Sequence, residues 1–158
     1  MDYGKHASVV RTFLDKKGLC YEETDFGRAM AFTGGINGFT GKGGEYDGYQ
    51  YALLVDDNVV QSYAAMPESD VEKLSEMAEF VARANQGIQI GKFDLDCDDG
   101  EVRFHVALPV NALQNDAAHS MDLLLRGCLE TLNRHAHAYK MVLKGEMTPS
   151  EAIGLAAQ

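Results

Sequence analysis

Apolar positions along the chain recur with two periods, one near 3.6 residues and one of 2, and the switches between them outline the elements. Val9, Val10, Phe13 and Leu14 form an i, i+3, i+4 stripe that predicts a helix over residues 5–17. Lys16 and Lys17 suit the negative end of its dipole and Gly18 supplies a stop. A strand is predicted over about 28–33, and the stretch Gly34–Gly44 after it is too glycine-rich for regular structure. Tyr49–Val55 and Val59–Met66 are rich in β-formers and flank Asp56-Asp57-Asn58, which reads as a hairpin. With Asp57-Asn58 as its loop, Val55 faces Val60, Leu53 faces Ser62 and Tyr51 faces Ala64. Ala52 beside Tyr63 and Leu54 beside Gln61 occupy the opposite face. Both faces are thus partly apolar: one must pack on helices, and the other is open to a partner or a second subunit.

Pro67 ends that strand, and Ser69-Asp70-Val71-Glu72 matches a capping box with Ser69 as the N-cap. The helix it opens runs to about Asn85, with Leu74, Met77, Ala78, Val81 and Ala84 on one face and Gly87 beyond its end. Asp99-Gly100 then reads as a two-residue type I′ turn. That register pairs Cys97 with Val102, Leu95 with Phe104 and Phe93 with Val106 on one face. On the other it pairs Asp96 with Arg103 and Asp94 with His105. The alternation changes phase at Gly91, so the strand begins there or carries a bulge. A long helix is predicted over Ala117–Lys144, with Ala117, Met121, Leu124, Leu125, Cys128, Leu132, Tyr139 and Val142 inward. Thr148-Pro149-Ser150-Glu151 is a second capping box, with proline at the first helical position. The order is α-β-β-β-α-β-β-α: an α+β fold, an antiparallel sheet flanked by helices. It forms one domain over residues 1–158, with a core at about 5–144 and a short helical tail at 148–157.

Composition narrows the function classes more than it identifies one. Apolar residues at 46% and charged residues at 24% are ordinary for a globular chain. No run approaches the roughly 20 apolar residues that span a bilayer. Met1-Asp2-Tyr3-Gly4-Lys5-His6 has neither a basic nor an apolar leader region, which favours the cytoplasm. Cys20, Cys97 and Cys128 are odd in number and widely spaced, so they read as reduced, mostly buried thiols rather than a disulfide or zinc framework. A net charge of −10 argues against nucleic acid and against an anionic membrane surface as partners.

Each catalytic near-motif fails at a named position. Around Gly41-Lys42 a phosphate loop would need Gly where Ile36 stands and Ser or Thr where Gly43 stands. A calcium loop counted from Asp94 places Asp99 and His105 where Gly and Glu are required. His135 and His137 are two apart on a helix and point in nearly opposite directions, so they cannot share a metal. Cys128 and His135 lie two turns apart, about 10 Å of rise, beyond thiolate–imidazole contact. Asp94 and His105 are brought together by the hairpin, and read as a surface cross-strand pair with no nucleophile nearby. No catalytic, metal or cofactor-binding residue is assigned.

The stretch Ala84-Asn85-Gln86-Gly87-Ile88-Gln89-Ile90-Gly91-Lys92-Phe93-Asp94-Leu95-Asp96, followed by Asp99-Gly100-Glu101-Val102-Arg103-Phe104, resembles the YbjN-like family. It shows the Asn near a helix end, the Gly-x-Phe-x-Leu strand, the acidic turn and the Glu-Val-Arg-Phe return strand. The order of elements over residues 5–144 is similar to that of the type III secretion chaperone-like fold. The resemblance implies a small acidic homodimer that binds a protein segment, or a sensory-transduction regulator, with no catalytic residues to carry over. On this reading the chain is a non-catalytic protein-binding module, chaperone-like or adaptor-like. Its partner surface would lie on the 49–66 hairpin, at Tyr49, Tyr51, Leu53, Tyr63 and Met66. The alternative is a small-ligand-responsive regulator that uses the Gly34–Gly44 loop as a lid.

Overall fold

The central strands alternate buried and half-buried positions, which gives the sheet one dry face. The computed structural model describes residues 3–35 and 49–157. Its strands are β1 (Glu22–Asp25), β2 (Ala29–Gly35), β3 (Gln50–Asp56), β4 (Val59–Ala65), β5 (Lys92–Leu95) and β6 (Val102–Pro109). They form one antiparallel sheet in the order β1-β2-β3-β4-β6-β5. The helices are α1 (Tyr3–Lys16), α2 (Leu74–Gln86), α3 (Val110–Asn115), α4 (Ala117–Asp122), α5 (Cys128–Leu143) and α6 (Pro149–Ala156). Phe32, Tyr51, Leu53, Val55, Val60, Ala64, Phe93, Phe104 and Val106 line the dry face. Over them lie α1 on β2 and β3, α5 on β4 and β6, and α2 on β5. The α+β class and the antiparallel sheet agree with the expectation from sequence.

The β3–β4 hairpin has the predicted register in all five pairs. Its turn is held by Asp56, whose Oδ1 accepts from the N–H groups of Asn58 and Val59 at 2.7 Å each. At α6 the capping box is complete: Glu151 N–H donates to Thr148 Oγ1 at 3.3 Å and Thr148 N–H to Glu151 Oε2 at 2.9 Å. Gly18, at φ 68°, closes α1.

Five expectations are corrected. The β5–β6 hairpin slips by two residues, pairing Lys92 with His105, Phe93 with Phe104, Asp94 with Arg103 and Leu95 with Val102. A type I′ turn would have forced Asp99 as well as Gly100 to positive φ, whereas only Gly100 takes it, at 77°. The chain instead closes a longer turn in which Asp96 N–H donates to Glu101 O and Gly100 N–H to Asp96 O. The Asp96 and Asp99 carboxylates accept from the N–H groups of Asp98 and Glu101. A slip of two keeps side-chain parity, so the apolar face stays inward. Cys97 consequently sits exposed in the turn; Cys20 is exposed too, and Cys128 alone is buried. The N-cap before α2 is Asp70, not Ser69: its Oδ1 accepts from Glu72 N–H at 3.0 Å and opens a 3₁₀ turn, Val71–Lys73. The long C-terminal helix is interrupted by a π-helical turn, Leu123–Gly127, between α4 and α5. Finally, β1 precedes the predicted strands, so four strands come before α2.

Two residues fasten β5. The Asn85 side chain, at the end of α2, works as a short strand: its Nδ2 donates to Phe93 O at 3.0 Å and its Oδ1 accepts from Phe93 N–H at 2.7 Å. Gly91 takes φ 84°, and a Cβ there would stand 2.7 Å from His105 O, so only glycine lets β5 begin beside β6.

Candidate functional site

The face of the sheet turned away from the helices carries the polar chemistry. Strand pairing sets its side chains in rows. One row runs Glu22, Thr33, Ala52, Tyr63, His105, Lys92 across all six strands. The next runs Thr24, Ala31, Leu54, Gln61, Ala107. Ala31, Ala52, Leu54, Gln61, Tyr63, Ala65, Arg103 and His105 are all half-buried, which leaves a shallow, partly apolar floor.

At the centre of the β4–β6 half, the Tyr63 and His105 rings stack with centroids 4.4 Å apart and planes 3° from parallel. The Arg103 guanidinium lies 5.6 Å from the Tyr63 ring centroid. Gln61 Oε1 accepts from Tyr63 Oη–H at 3.1 Å and faces His105 Nε2 at 3.0 Å, which therefore carries the donated proton. His105 Nδ1 stands 3.6 Å from Asp94 Oδ2, and Lys92 Nζ stands 3.3 Å from Asp94 Oδ1. Burial lowers the His105 pKa from its ordinary value and outweighs the opposing pull of Asp94, so the ring is neutral at pH 7. Arg103 Nε is sealed from solvent without a hydrogen-bond partner, the nearest carboxylate oxygen being Glu101 Oε1 at 3.8 Å. The Arg103 side chain as a whole is 39% exposed, so its terminal nitrogens remain open to solvent.

Of the five residues expected to form a partner surface, Tyr63 alone lies on this face. Tyr49, Tyr51, Leu53 and Met66 are 6%, 3%, 0% and 5% exposed and pack in the helix-covered core. Tyr49 Oη–H reaches Asn133 Oδ1 of α5 at 3.2 Å. Both faces of the hairpin carry apolar residues, so alternation alone did not say which one turns to the helices. The Asp94–His105 pair persists as a diagonal contact, with Gln61 and Arg103, absent from the expected surface, completing the cluster. Of the glycine loop expected to act as a lid, Gly34 and Gly35 belong to β2 and residues 36–44 lie outside the described residues.

A second concavity, of 450 Å³, lies between α2, α5 and α6 and is lined by Arg83, Arg134, His135, Ile88, Ile153 and Ala156 among others. His135 is buried and Cys128 is fully enclosed, its thiol pushed up to about 12 by burial; neither touches the other. Among the described residues no group of three or more His, Cys, Asp or Glu is placed to hold a metal ion. Among them too, no helix is long and apolar enough to cross a membrane.

No protein-family model matches the chain, and no curated protein does. The crystal structure of an uncharacterized protein from Methanothermobacter thermautotrophicus is similar in fold, with a TM-score of 0.53 at 13% sequence identity. The similarity covers 80% of this chain and 94% of that one. At that identity the likeness concerns the fold alone.

Proposed function

We propose that the chain is a non-catalytic, cytoplasmic protein-binding module that works as a homodimer, its two copies joined through the outer faces of their sheets. The observation that carries this reading is that the face is complementary to itself. A two-fold axis parallel to the strands, set between β3 and β4, lays β1 of one copy over β5 of the other. Along the first row, Tyr63 then meets Ala52 of the second copy, His105 meets Thr33, and Lys92 meets Glu22. Along the second row, Leu54 meets Gln61 and Ala31 meets Ala107. In the first row a large side chain opposes a smaller one at two positions, and Lys92 opposes Glu22.

Two such sheets pack in the aligned arrangement that twisted sheets favour. Strand spacings give the face about 25 Å by 20 Å, roughly 500 Å² per copy. That stands at the lower end for a specific interface, and fits a reversible dimer. The exposed thiols Cys20 and Cys97 suit a reducing compartment. The YbjN-like resemblance of residues 84–104 points to the same class.

The test is sedimentation equilibrium on the wild type and on charge-swapped variants. The wild type is expected to be a dimer that dissociates on dilution. Glu22→Lys and Lys92→Glu should each weaken it, and the double variant should recover it. A monomer at every concentration, or a dimer indifferent to both single swaps, refutes the proposal.

A further inference from the structure

The concavity between α2, α5 and α6 combines features that the sheet face does not use. His135, 8% exposed, forms part of its lining. Its Nδ1 lies 2.8 Å from the Thr131 carbonyl oxygen. A carbonyl can only accept, so Nδ1 carries the proton and Nε2 keeps a lone pair. Among the described residues Nε2 has no hydrogen-bond partner. The ring is fixed edge-on to Phe93, at a centroid distance of 5.1 Å, and to Phe80, at 6.4 Å, so it cannot turn away. Two guanidinium groups complete the lining. Arg83 gives its Nε to Glu79 at 2.8 Å, which leaves its terminal nitrogens, and Arg134 makes no ion pair among the described residues. The remaining wall is apolar, from Ile88, Ile153 and Ala156. A volume of 450 Å³ lies within the range of small-molecule sites, which typically join an apolar wall to a few placed polar groups.

We infer that this concavity is a binding site for a small organic anion, a carboxylate or phosphate monoester on an apolar body. Arg83 and Arg134 take the anionic head as planar, multi-donor partners. Ile88, Ile153 and Ala156 cover the apolar body, and His135 Nε2 accepts from a hydroxyl or amine on the ligand. Neutral imidazole is the form burial favours here. The inference stands on a different surface from the sheet face, so dimerisation and ligand binding can fail separately.

The experiment titrates the 158-residue chain with 4-hydroxyphenyl phosphate, 4-hydroxyphenylacetate, inorganic phosphate and benzyl alcohol. Binding is followed by thermal unfolding and by the His135 ring nitrogen signals in long-range ¹H–¹⁵N spectra. 4-Hydroxyphenyl phosphate or 4-hydroxyphenylacetate is expected to bind saturably, raise the unfolding temperature and, through its ring hydroxyl, move the His135 Nε2 signal. Whichever binds tighter identifies the head group. Arg134→Ala and Arg83→Ala, both at exposed positions, should fold normally and each weaken binding about tenfold. The site is refuted if the His135 signals do not move, or if both arginine variants bind as the wild type does. Inorganic phosphate or benzyl alcohol binding as tightly as the amphipathic probes refutes it too.

Discussion

Replacing Gly91 by alanine tests how β5 is seated against β6. Two costs can be read from the structure. At φ 84° a side chain enters a region that L-residues avoid, at about 1–2 kcal/mol. The added Cβ would also stand 2.7 Å from His105 O and 2.7 Å from Phe104 Cζ, where ordinary contacts begin at 3.4 Å. The carbonyl belongs to β6, which is paired on both sides, and Phe104 is fully buried, so neither can yield cheaply. Overpacking of this kind costs about 1–3 kcal/mol. Against these stands the smaller entropy of an unfolded chain with alanine, worth about 0.4–1 kcal/mol. The net expectation for Gly91→Ala is a loss near 3 kcal/mol, on the order of the costs just given. Gly145 is the control: its φ is 71°, and a Cβ there meets nothing within 4 Å. Gly145→Ala should therefore lose about 1 kcal/mol or less. Urea unfolding followed by far-UV circular dichroism gives both values. If the two variants agree within about 0.5 kcal/mol, near the precision of extrapolation, the close approach of β5 to β6 is wrong.

Two further outcomes follow from the same packing. His105 and His135 both have pKa values lowered from 6.5, chiefly by burial. Below 6.5 the unfolded chain binds protons that the folded chain refuses, so stability is full above that value and falls as the pH drops, by at most about 1.4 kcal/mol per pH unit per histidine. His135→Phe should flatten the profile between about pH 7 and pH 5, and an unchanged slope in that variant would contradict the burial of a neutral ring. Asn85→Leu removes both contacts to the Phe93 backbone and leaves a buried N–H and C=O unpaired. A loss of about 2–3 kcal/mol is expected, with faster amide exchange at Phe93, and native protection there would show that Asn85 does not hold the strand.

The features legible in the sequence were those fixed by neighbours in the chain. The β3–β4 register followed from a short loop, and the α6 cap from four consecutive residues. The β5–β6 register failed because Asp-Gly fits more than one turn, and the side chains of Asp96 and Asp99 favoured the longer one. β1, with the sequence Glu22-Glu23-Thr24-Asp25, has no apolar alternation to signal a strand. It forms because β2 offers an unpaired edge, and because Arg11 meets Glu23 at 2.7 Å while Tyr21 packs edge-on against Phe32. Phe80 was missed on α2 because the buried stripe is Met77, Phe80 and Ala84 rather than the one centred on Ala78, which is exposed. The site residues were the least legible. Gln61, Arg103 and His105 meet only because β6 lies beside β4, a pairing across some forty residues of chain. Arg83 and Arg134 come from helices about fifty residues apart, and nothing local in either helix signals the cavity.

The acidity of β1 bears on how the molecule avoids polymerising. A sheet edge offers unmatched N–H and C=O groups to any passing strand. Here the β1 edge is only four residues long and carries Glu22, Glu23 and Asp25, all exposed. A second β1 brought alongside would set carboxylates against carboxylates, and the opposite edge, β5, is equally short and charged. Edgewise growth into a continuous ribbon is thus discouraged at both ends of the sheet. A foreign strand meeting either edge would find few backbone groups to pair with and a charged side chain beside them.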